Sequence, residues 1–258
     1  MAQGDKLKGL KGAVVPLLMI SIWWGLAHAK FFPDYLCPMP EKVIGTAIRL
    51  YASGELVFNV KMSLFRVISG FAIGAGIGFI LGAGMGFFRI IEKTVGPFFH
   101  AFRQVPLLGW VPLIVLWAGI GEAGKIVLIA LGASYPVAMN TFQGIRSVKK
   151  EFIEVARVFE FSNRRLLAAV ILPSALPEIL TGLRLALSKS WMMVVGAEIF
   201  IAANGGIGDM MWDARDRFHM DIVMVGFILI GCIGFLLNQG ILWVEEYSLG
   251  WRKTFEKG

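Results

Sequence analysis

Residues 154–173 read EVARVFEFSNRRLLAAVILP, a charged, helix-like half followed by an apolar half that ends at Leu172-Pro173. The segment stands in a chain of 258 residues, of which 57% are hydrophobic and 17% charged, whereas a soluble protein has roughly a quarter charged. Lipid-facing surface needs no charge and the bilayer interior disfavours it, so this composition predicts a polytopic membrane protein. The charged half of the segment must then lie outside the bilayer.

Six apolar runs are long enough to cross a bilayer, which takes about 20 residues. They cover residues 13–29, 67–88, 98–120, 126–142, 176–202 and 222–244. Lys and Arg are concentrated in the connecting segments that are cytoplasmic when both termini are inside, which favours that orientation. The same distribution explains the net charge of +7 without nucleic-acid binding. We expect an all-α integral membrane protein with six transmembrane helices.

This topology predicts one transmembrane domain over residues 1–258, with cytoplasmic tails at 1–12 and 245–258. No small-residue cleavage site follows the basic N-terminus, so the first apolar run is expected to remain as a span. Residues 38–57 are expected to form a short interfacial helix outside, and residues 203–219 a Gly-containing outer loop. The opening stretch falls in the longest cytoplasmic loop, 145–173.

Within that loop the pattern predicts two short helices, 149–159 and 162–169, separated by Phe161-Ser162-Asn163 with a capping residue. Val155, Val158 and Phe159 would then lie among charged residues on the first helix. A solvated loop needs no such apolar cluster. The cluster indicates either a docking surface for another protein or contact with the inner face of this chain.

Glycine recurs at every fourth position in the second apolar run. The glycines are Gly70, Gly74, Gly78, Gly82 and Gly86. On a helix they form one strip without side chains, which permits close approach of a neighbouring helix. We expect tight helix packing there, with a groove lining a substrate path as the alternative.

Polar and aromatic residues inside the spans are candidates for a path or gate, because charge in a bilayer is costly. Glu198 is expected to pair with an arginine of the outer loop and hold a gate closed; substrate contact is the alternative. Arg184 and Lys189 are expected to snorkel or pair with Glu178, or else to attract an anion. Trp110 and Trp191 either line the path or anchor packing. The candidates for a path or gate are thus Trp110, Trp191 and Glu198.

The sequence contains no machinery for chemistry of its own. It has no Gly-rich phosphate loop ending in Gly-Lys-Ser/Thr, no recognisable Ser-His-Asp or Cys-His arrangement and no metal-ligand spacing. Cys37 and Cys232 form neither a metal motif nor a disulfide framework. The chain is therefore expected not to be an enzyme, and energy for transport must come from a partner or an ion gradient.

The loop resembles the cytoplasmic signature of bacterial ABC-importer permeases, which is Glu-Ala-Ala, three residues, Gly, nine residues, Ile, one residue and Leu-Pro. Here the corresponding residues are Glu154-Val155-Ala156, Glu160, Val170 and Leu172-Pro173, without a gap. Glu160 stands where the family has the glycine of a sharp turn. Residues 103–112, 116–122, 172–184 and 197–199 are similar to the nitrate, sulfonate, taurine and bicarbonate branch, and nearest to aliphatic sulfonate permeases.

This resemblance implies a type I importer fold in a bacterial inner membrane, with the loop coupled to a separate ATP-binding subunit. The implied coupling residues are Glu154, Ala156, Arg157, Phe159, Glu160 and Ser162. The implied partners are a second permease subunit, expected to be an identical copy, two cytoplasmic ATP-binding subunits and an outer solute-binding protein. ATP and Mg would be bound by those partners, and this chain itself would bind no cofactor or metal.

The expected cargo is a small anion, with sulfonate or taurine before nitrate or bicarbonate. Other permeases of this kind carry thiamine-precursor pyrimidines, riboflavin or aromatic acids, so these solutes are the alternative. A transporter driven by an ion gradient is a second class, although the six runs show no inverted repeat. A membrane enzyme or a scaffold is a third.

Overall fold

The computed structural model of the chain describes the backbone of residues 2–33, 35–201 and 205–250, with all their side chains except those of 2–13 and 16. Every regular element in these ranges is helical. The helices are α1 (Ala2–His28), α2 (Pro40–Ala52), α3 (Glu55–Phe87), α4 (Arg89–Phe102), α5 (Val111–Ala118), α6 (Glu122–Arg146), α7 (Lys150–Val158), α8 (Asn163–Leu166), α9 (Leu172–Phe200), α10 (Ile207–Asp216) and α11 (Met220–Ser248). The all-α prediction agrees with these residues.

Four helical stretches in the described ranges are long and apolar enough to cross a membrane: α3, α6, the continuous run Asn163–Phe200 and α11. A fifth results if α4 and the stretch Leu107–Ala118 form one bent span. The apolar part of α1 with described side chains, Leu17–His28, is shorter than a full span. The described residues thus provide four or five spans, and the predicted first span at 13–29 includes residues whose side chains lie outside the described part.

The predicted span at 98–120 is sharply bent, because the chain turns by 94° between α4 and the stretch that follows. Pro106 lies at this break, directly before a 3₁₀ turn at Leu107–Trp110. Proline has no amide hydrogen to donate, and its ring disfavours a helical backbone at Val105. The helix therefore ends at Phe102 and restarts in a new direction.

Two predicted segments outside the spans also differ in detail. The predicted loop 203–219 contains the helix α10, and residues 202–204 lie outside the described part. The predicted interfacial helix is present as α2, which buries Val43 and Leu50. The Thr46 hydroxyl of α2 donates a 2.6 Å hydrogen bond to the Asp221 carboxylate at the start of α11. α11 continues to Ser248, past the start of the predicted tail at 245, and residues 251–258 lie outside the described part.

The centre of the molecule consists of α3, α6 and α9 packed against one another. Their contact buries Val67 on α3, Leu128 and Ile129 on α6, and Val194 on α9. Large apolar side chains on the outside of the bundle stay exposed, among them Ile80, Leu116 and Phe227. Exposed apolar surface of this extent suits lipid or another subunit rather than water.

All five glycines of the four-residue repeat on α3 lie against α6. A Cβ atom on Gly74 or Gly78 would overlap the carbonyl oxygen of Ala130 or Ser134. Gly82 is in the same position relative to the Ala138 carbonyl, while Gly70 and Gly86 face the side chains of Ile129 and Ile145. The two backbones therefore approach so closely that no side chain can stand between them. The strip is occupied by α6 in this chain, which leaves no open groove along it.

Candidate functional site

One end of the bundle carries the α7–α8 segment, and α7 terminates there in a tight turn at Glu160. The Glu160 φ angle is +55°, in the left-handed region. The amide of Phe161 donates to the Ala156 carbonyl at 3.0 Å, and the amide of Glu160 donates to the Arg157 carbonyl at 2.9 Å. This hydrogen-bond pair defines a Schellman motif, in which glycine is the usual left-handed residue. The sharp turn is thus present at the position of the family glycine, although a glutamate occupies it.

The second short helix begins directly after this turn. The Ser162 side chain accepts a 3.4 Å hydrogen bond from the Arg165 amide, which caps α8. The Arg165 guanidinium lies 4.4 Å from the centre of the Phe161 ring. From Asn163 the chain stays helical through a π-helical turn at Leu167–Ile171 and into α9, as far as Phe200. One unbroken element therefore joins the α7–α8 segment to the opposite end of the bundle.

Apolar side chains of α7 project from the surface of the chain. Val158 is 81% exposed and Phe159 is 71% exposed, and Val155 is exposed beside them. Five of the six residues expected to contact an ATP-binding subunit are exposed: Glu154, Arg157, Phe159, Glu160 and Ser162. The apolar cluster therefore does not lie on the inner face of this chain. We call this surface, formed by residues 152–162, the docking surface.

Ala156, the sixth expected contact residue, is only 4% exposed. It faces the body of the chain because α7 packs on α8 and on the π-helical turn. Its small size allows this close packing, so Ala156 is placed to hold α7 in position rather than to touch another subunit directly.

The opposite end of the bundle contains a cluster of buried charges around Arg66 of α3. The Arg66 side chain is fully buried, and Glu198 of α9 is 1% exposed. Their ion pair is 2.7 Å long, and Arg66 Nε also donates a 2.7 Å hydrogen bond to Glu122 at the start of α6. Burial without these partners would cost several kcal/mol for each charge, roughly the difference between a folded and an unfolded chain. The cluster joins the three central helices by charge.

The start of α10 and the two glycines before it are attached to the same cluster. Arg66 donates to the Gly205 carbonyl at 2.6 Å, and the Gly208 amide donates to Glu198 at 2.8 Å. Ser63 donates to Glu198 at 2.7 Å and accepts from the Ile207 amide at 2.9 Å. Gly206 has a φ of +122°, and a Cβ there would overlap Arg66 and Glu198. Only glycine allows the backbone to approach this ion pair.

The predicted partner of Glu198 is wrong, because Glu198 pairs with Arg66 and not with an arginine of the loop. The arginines near α10, Arg215 and Arg217, are exposed and pair with aspartates of α10 itself. Sequence reasoning missed Arg66 because the predicted second span began one residue after it, whereas α3 begins at Glu55. Lys125 of α6 is also fully buried near Glu122 and Glu198. A basic residue at the edge of a Gly-rich apolar run is the feature that indicates such a cluster.

The two candidate tryptophans are in different surroundings. Trp191 is buried, its indole nitrogen donates a 3.0 Å hydrogen bond to the Ile230 carbonyl, and its ring packs against Gly234. It therefore joins α9 to α11 and lines no open space. Trp110 is half-buried, stacks on Phe102 at 4.3 Å and lines a cavity.

Arg184 of α9 has a different partner from the predicted one. Arg184 pairs with Glu245 of α11 at 3.2 Å, so the predicted pairing with Glu178 is wrong. In the part of the chain that the structure describes, no three His, Cys, Asp or Glu residues are arranged to hold a metal ion. The geometry provides an exposed apolar surface on the α7–α8 segment, a continuous helical run and a buried charge cluster.

The chain is similar in sequence to known transport permeases. The chain is 38% identical over 247 residues to a Bacillus subtilis (strain 168) protein named as an aliphatic sulfonates transport permease, SsuC, covering 96% of this chain and 89% of that protein. It is 33% identical over 239 residues to the taurine transport system permease TauC of Escherichia coli (strain K12), covering 91% and 86%. It is 35% identical over 194 residues to the bicarbonate transport system permease CmpB of Synechococcus elongatus, covering 75% and 70%.

The fold is similar to that of a solved transporter. An inward-facing structure of the MetNI methionine ABC transporter matches with a TM-score of 0.59 at 20% identity, covering 73% of this chain and 95% of that one. Residues 74–247 match the family described as "Binding-protein-dependent transport system inner membrane component". The resemblance inferred from the cytoplasmic signature is thus confirmed. The chain belongs to the family of binding-protein-dependent transport system inner membrane components, whose members are ABC transporter permease subunits rather than enzymes.

Proposed function

We propose that this chain forms the membrane path of an ATP-driven importer for a small anion, with an organic sulfonate or taurine as the first candidate. The observation that carries the proposal is the docking surface, in which exposed apolar residues of α7 stand at the position of the family's coupling signature. The relatives named for aliphatic sulfonates, taurine and bicarbonate support an anion as the cargo.

The proposed assembly has two permease subunits, expected to be identical, in a bacterial inner membrane. Two ATP-binding subunits, which bind ATP and Mg, contact the docking surfaces from the cytoplasm, and a solute-binding protein delivers the anion outside. Both termini, 1–12 and 245–258, and the loop 145–173 are then cytoplasmic. The distribution of Lys and Arg supports this orientation. A six-helix domain over 1–258, with α1 as the first span, belongs to the same proposal.

The geometry suggests how ATP binding reaches the opposite face. When the ATP-binding subunits close, they displace α7 and α8. Because Asn163–Phe200 is one continuous helical run, the displacement is transmitted along α9 to Glu198. Glu198 joins α9 to Arg66 on α3 and to the first turn of α10. The buried charge cluster then acts as the joint that holds the outer ends of the helices together, which is the gate role considered for Glu198.

Uptake by the reconstituted complex tests this proposal. Vesicles containing the permease and its ATP-binding subunits, supplied with the binding protein, should accumulate radiolabelled alkanesulfonate or taurine only with internal ATP and Mg. Labelled bicarbonate, nitrate, riboflavin, an aromatic acid and a thiamine-precursor pyrimidine are the comparison solutes. Accumulation driven by an ion gradient without ATP would contradict the importer assignment. ATP-driven uptake of a neutral or cationic solute alone would contradict the anion assignment.

A further inference from the structure

Two adjoining cavities lie where the broken helix α4–α5 faces α6 and α9. Their volumes are about 640 and about 450 Å³. Arg103, Tyr135 and Lys189 line both cavities, so these three residues mark the place where the two spaces meet.

The junction of the cavities lies at mid-depth of the bundle. Tyr135 is near the centre of α6, and Lys189 is 11 residues before the end of α9 at Phe200, which is roughly 16 Å at 1.5 Å per residue. Arg103 lies in the non-helical break between α4 and the 3₁₀ turn. Irregular backbone at membrane depth is tolerated where it lines a water-filled cavity, and broken helices often build substrate sites there.

The charges at the junction favour an anion. Arg103 and Lys189 are both exposed, and among the described residues no carboxylate forms an ion pair with either of them. Arg103 donates a hydrogen bond to the Tyr135 hydroxyl, and its guanidinium lies 4.8 Å from the centre of the Tyr135 ring. Tyr135 therefore positions a cation without neutralising it. Cations at this depth are too costly to face lipid, which places them on a water-filled path.

The two cavities have walls of different chemistry. The larger one is lined by aromatic side chains, with Phe102 stacked on Trp110 at 4.3 Å and Phe99 stacked on Tyr135 at 5.5 Å. The smaller one adds hydrogen-bonding groups. Those groups are Asn140, Gln143 and Ser188. A molecule that spans the junction would meet amides and cations on one side and aromatic rings on the other.

We propose that the two cavities form one binding site for an amphipathic anion, in which Arg103 and Lys189 bind the oxyanion head group and the Phe102–Trp110 wall holds a short apolar tail. An alkanesulfonate has this chemistry, whereas bicarbonate and nitrate have no tail to fill the aromatic side. The inference rests on the proposed function and makes it more specific. It assigns to this chain a substrate site of its own, selective for tail length.

Direct binding to the permease in complex with its ATP-binding subunits, held in lipid nanodiscs, tests the site. The probes are radiolabelled methanesulfonate and hexanesulfonate, without the solute-binding protein. We expect saturable binding of hexanesulfonate and about tenfold or greater weakening by Arg103→Gln or Lys189→Gln, since each removes a charged hydrogen-bond donor. Lys189→Arg should retain most of the affinity. Lys61→Gln, which changes an exposed lysine of α3 outside both cavities, is the matched control and should leave binding unchanged.

The tail is tested by Trp110→Ala, which should weaken binding of hexanesulfonate more than that of methanesulfonate. Size-exclusion profiles and unfolding temperatures confirm that each variant is folded. Absence of binding to the wild-type complex, or equal binding by the wild type and both glutamine variants, would overturn the site. Binding without dependence on chain length would overturn the placement of the tail. ATP-driven uptake is measured separately. Binding without uptake would contradict only the proposed function. Uptake that is unaffected by these variants would contradict only this inference.

Discussion

Arg66 shows at the scale of one residue how a charge is accommodated in a membrane-spanning helix. Its guanidinium reaches two carboxylates on two other helices and a backbone carbonyl, so its positive charge is matched and its donors are used. Isolated in a low-dielectric interior, the same charge would be strongly unfavourable. The position of Arg66 is therefore determined jointly by α3, α6 and α9.

The substitution Glu198→Gln tests the importance of this pair. Glutamine keeps the shape of glutamate but removes the charge opposite Arg66, and breaking a buried pair costs about 3 kcal/mol or more. We expect a lower unfolding temperature in detergent and loss of ATP-driven uptake. Asp213→Asn is the control, because it breaks an exposed pair with Arg217 that contributes about 1 kcal/mol or less. Equal stability of the two variants would show that the buried pair is not a structural joint.

Glu160 is the second residue whose role can be tested alone. Its left-handed backbone costs a non-glycine residue about 1–2 kcal/mol, so Glu160→Gly should preserve or raise stability and retain the ATP-binding subunit. Glu160→Val should lower both the stability of the permease and its retention of the ATP-binding subunit, because a β-branched residue rarely adopts this conformation. Recovery of the ATP-binding subunit with tagged permease is the measurement. Glu151→Val, on the helical part of α7, is the control. If Glu160→Val recovered as much ATP-binding subunit as Glu151→Val, the turn assignment would be refuted.

At the scale of elements, close packing of α3 on α6 depends on the glycine strip. Gly74→Ala should overpack the contact with Ala130 and cost about 1–3 kcal/mol. Gly76→Ala is an internal control on the same helix, because a Cβ at Gly76 meets no atom within 4 Å. We expect a lower unfolding temperature for the first variant only. If both substitutions had the same effect, the strip would owe its importance to helix propensity rather than to packing.

Elements were predictable from sequence where one periodic pattern ran without interruption. The centres of α6, α9 and α11 fall inside predicted spans, since long apolar runs in a membrane leave few alternatives. The size of the bend after Phe102 was not predicted, because apolar residues continue through it and Pro106 alone does not determine an angle. The start of α3 was missed for a related reason: residues 55–66 are polar enough to look extramembranous, but Arg66, Ser63 and Asn59 are used inside the fold.

The site was predictable to a similar extent. The α7–α8 segment and the exposure of Phe159 follow from a local pattern, and the structure contains them. The turn at Glu160 was not predicted, because a glutamate replaces the usual glycine and the predicted break lay at Phe161-Ser162-Asn163. The partner of Glu198 depends on a residue 132 positions away, and such a contact cannot be read from local spacing. The packing of Trp191 could not be predicted for the same reason, since its hydrogen bond is made to Ile230 of α11.

At the scale of the whole molecule, the exposed apolar surface indicates that the chain is one part of a larger assembly in lipid. Most spans bury less than a third of their apolar window within the chain, and α11 buries only 17%. Side chains at the docking surface are apolar as well, although that surface is expected to lie outside the bilayer. A second protein covering it explains this exposure, and the continuous run from Asn163 explains how that protein could act on the opposite face.

The most direct test of the account is photo-crosslinking from position 159 in the assembled transporter. With a photoreactive phenylalanine analogue replacing Phe159, irradiation should join the permease covalently to its ATP-binding subunit and give one adduct with the summed mass of the two chains. The same analogue at the exposed Phe227 of α11 should give no such adduct. Absence of the adduct from position 159 in a complex that still transports would contradict the account.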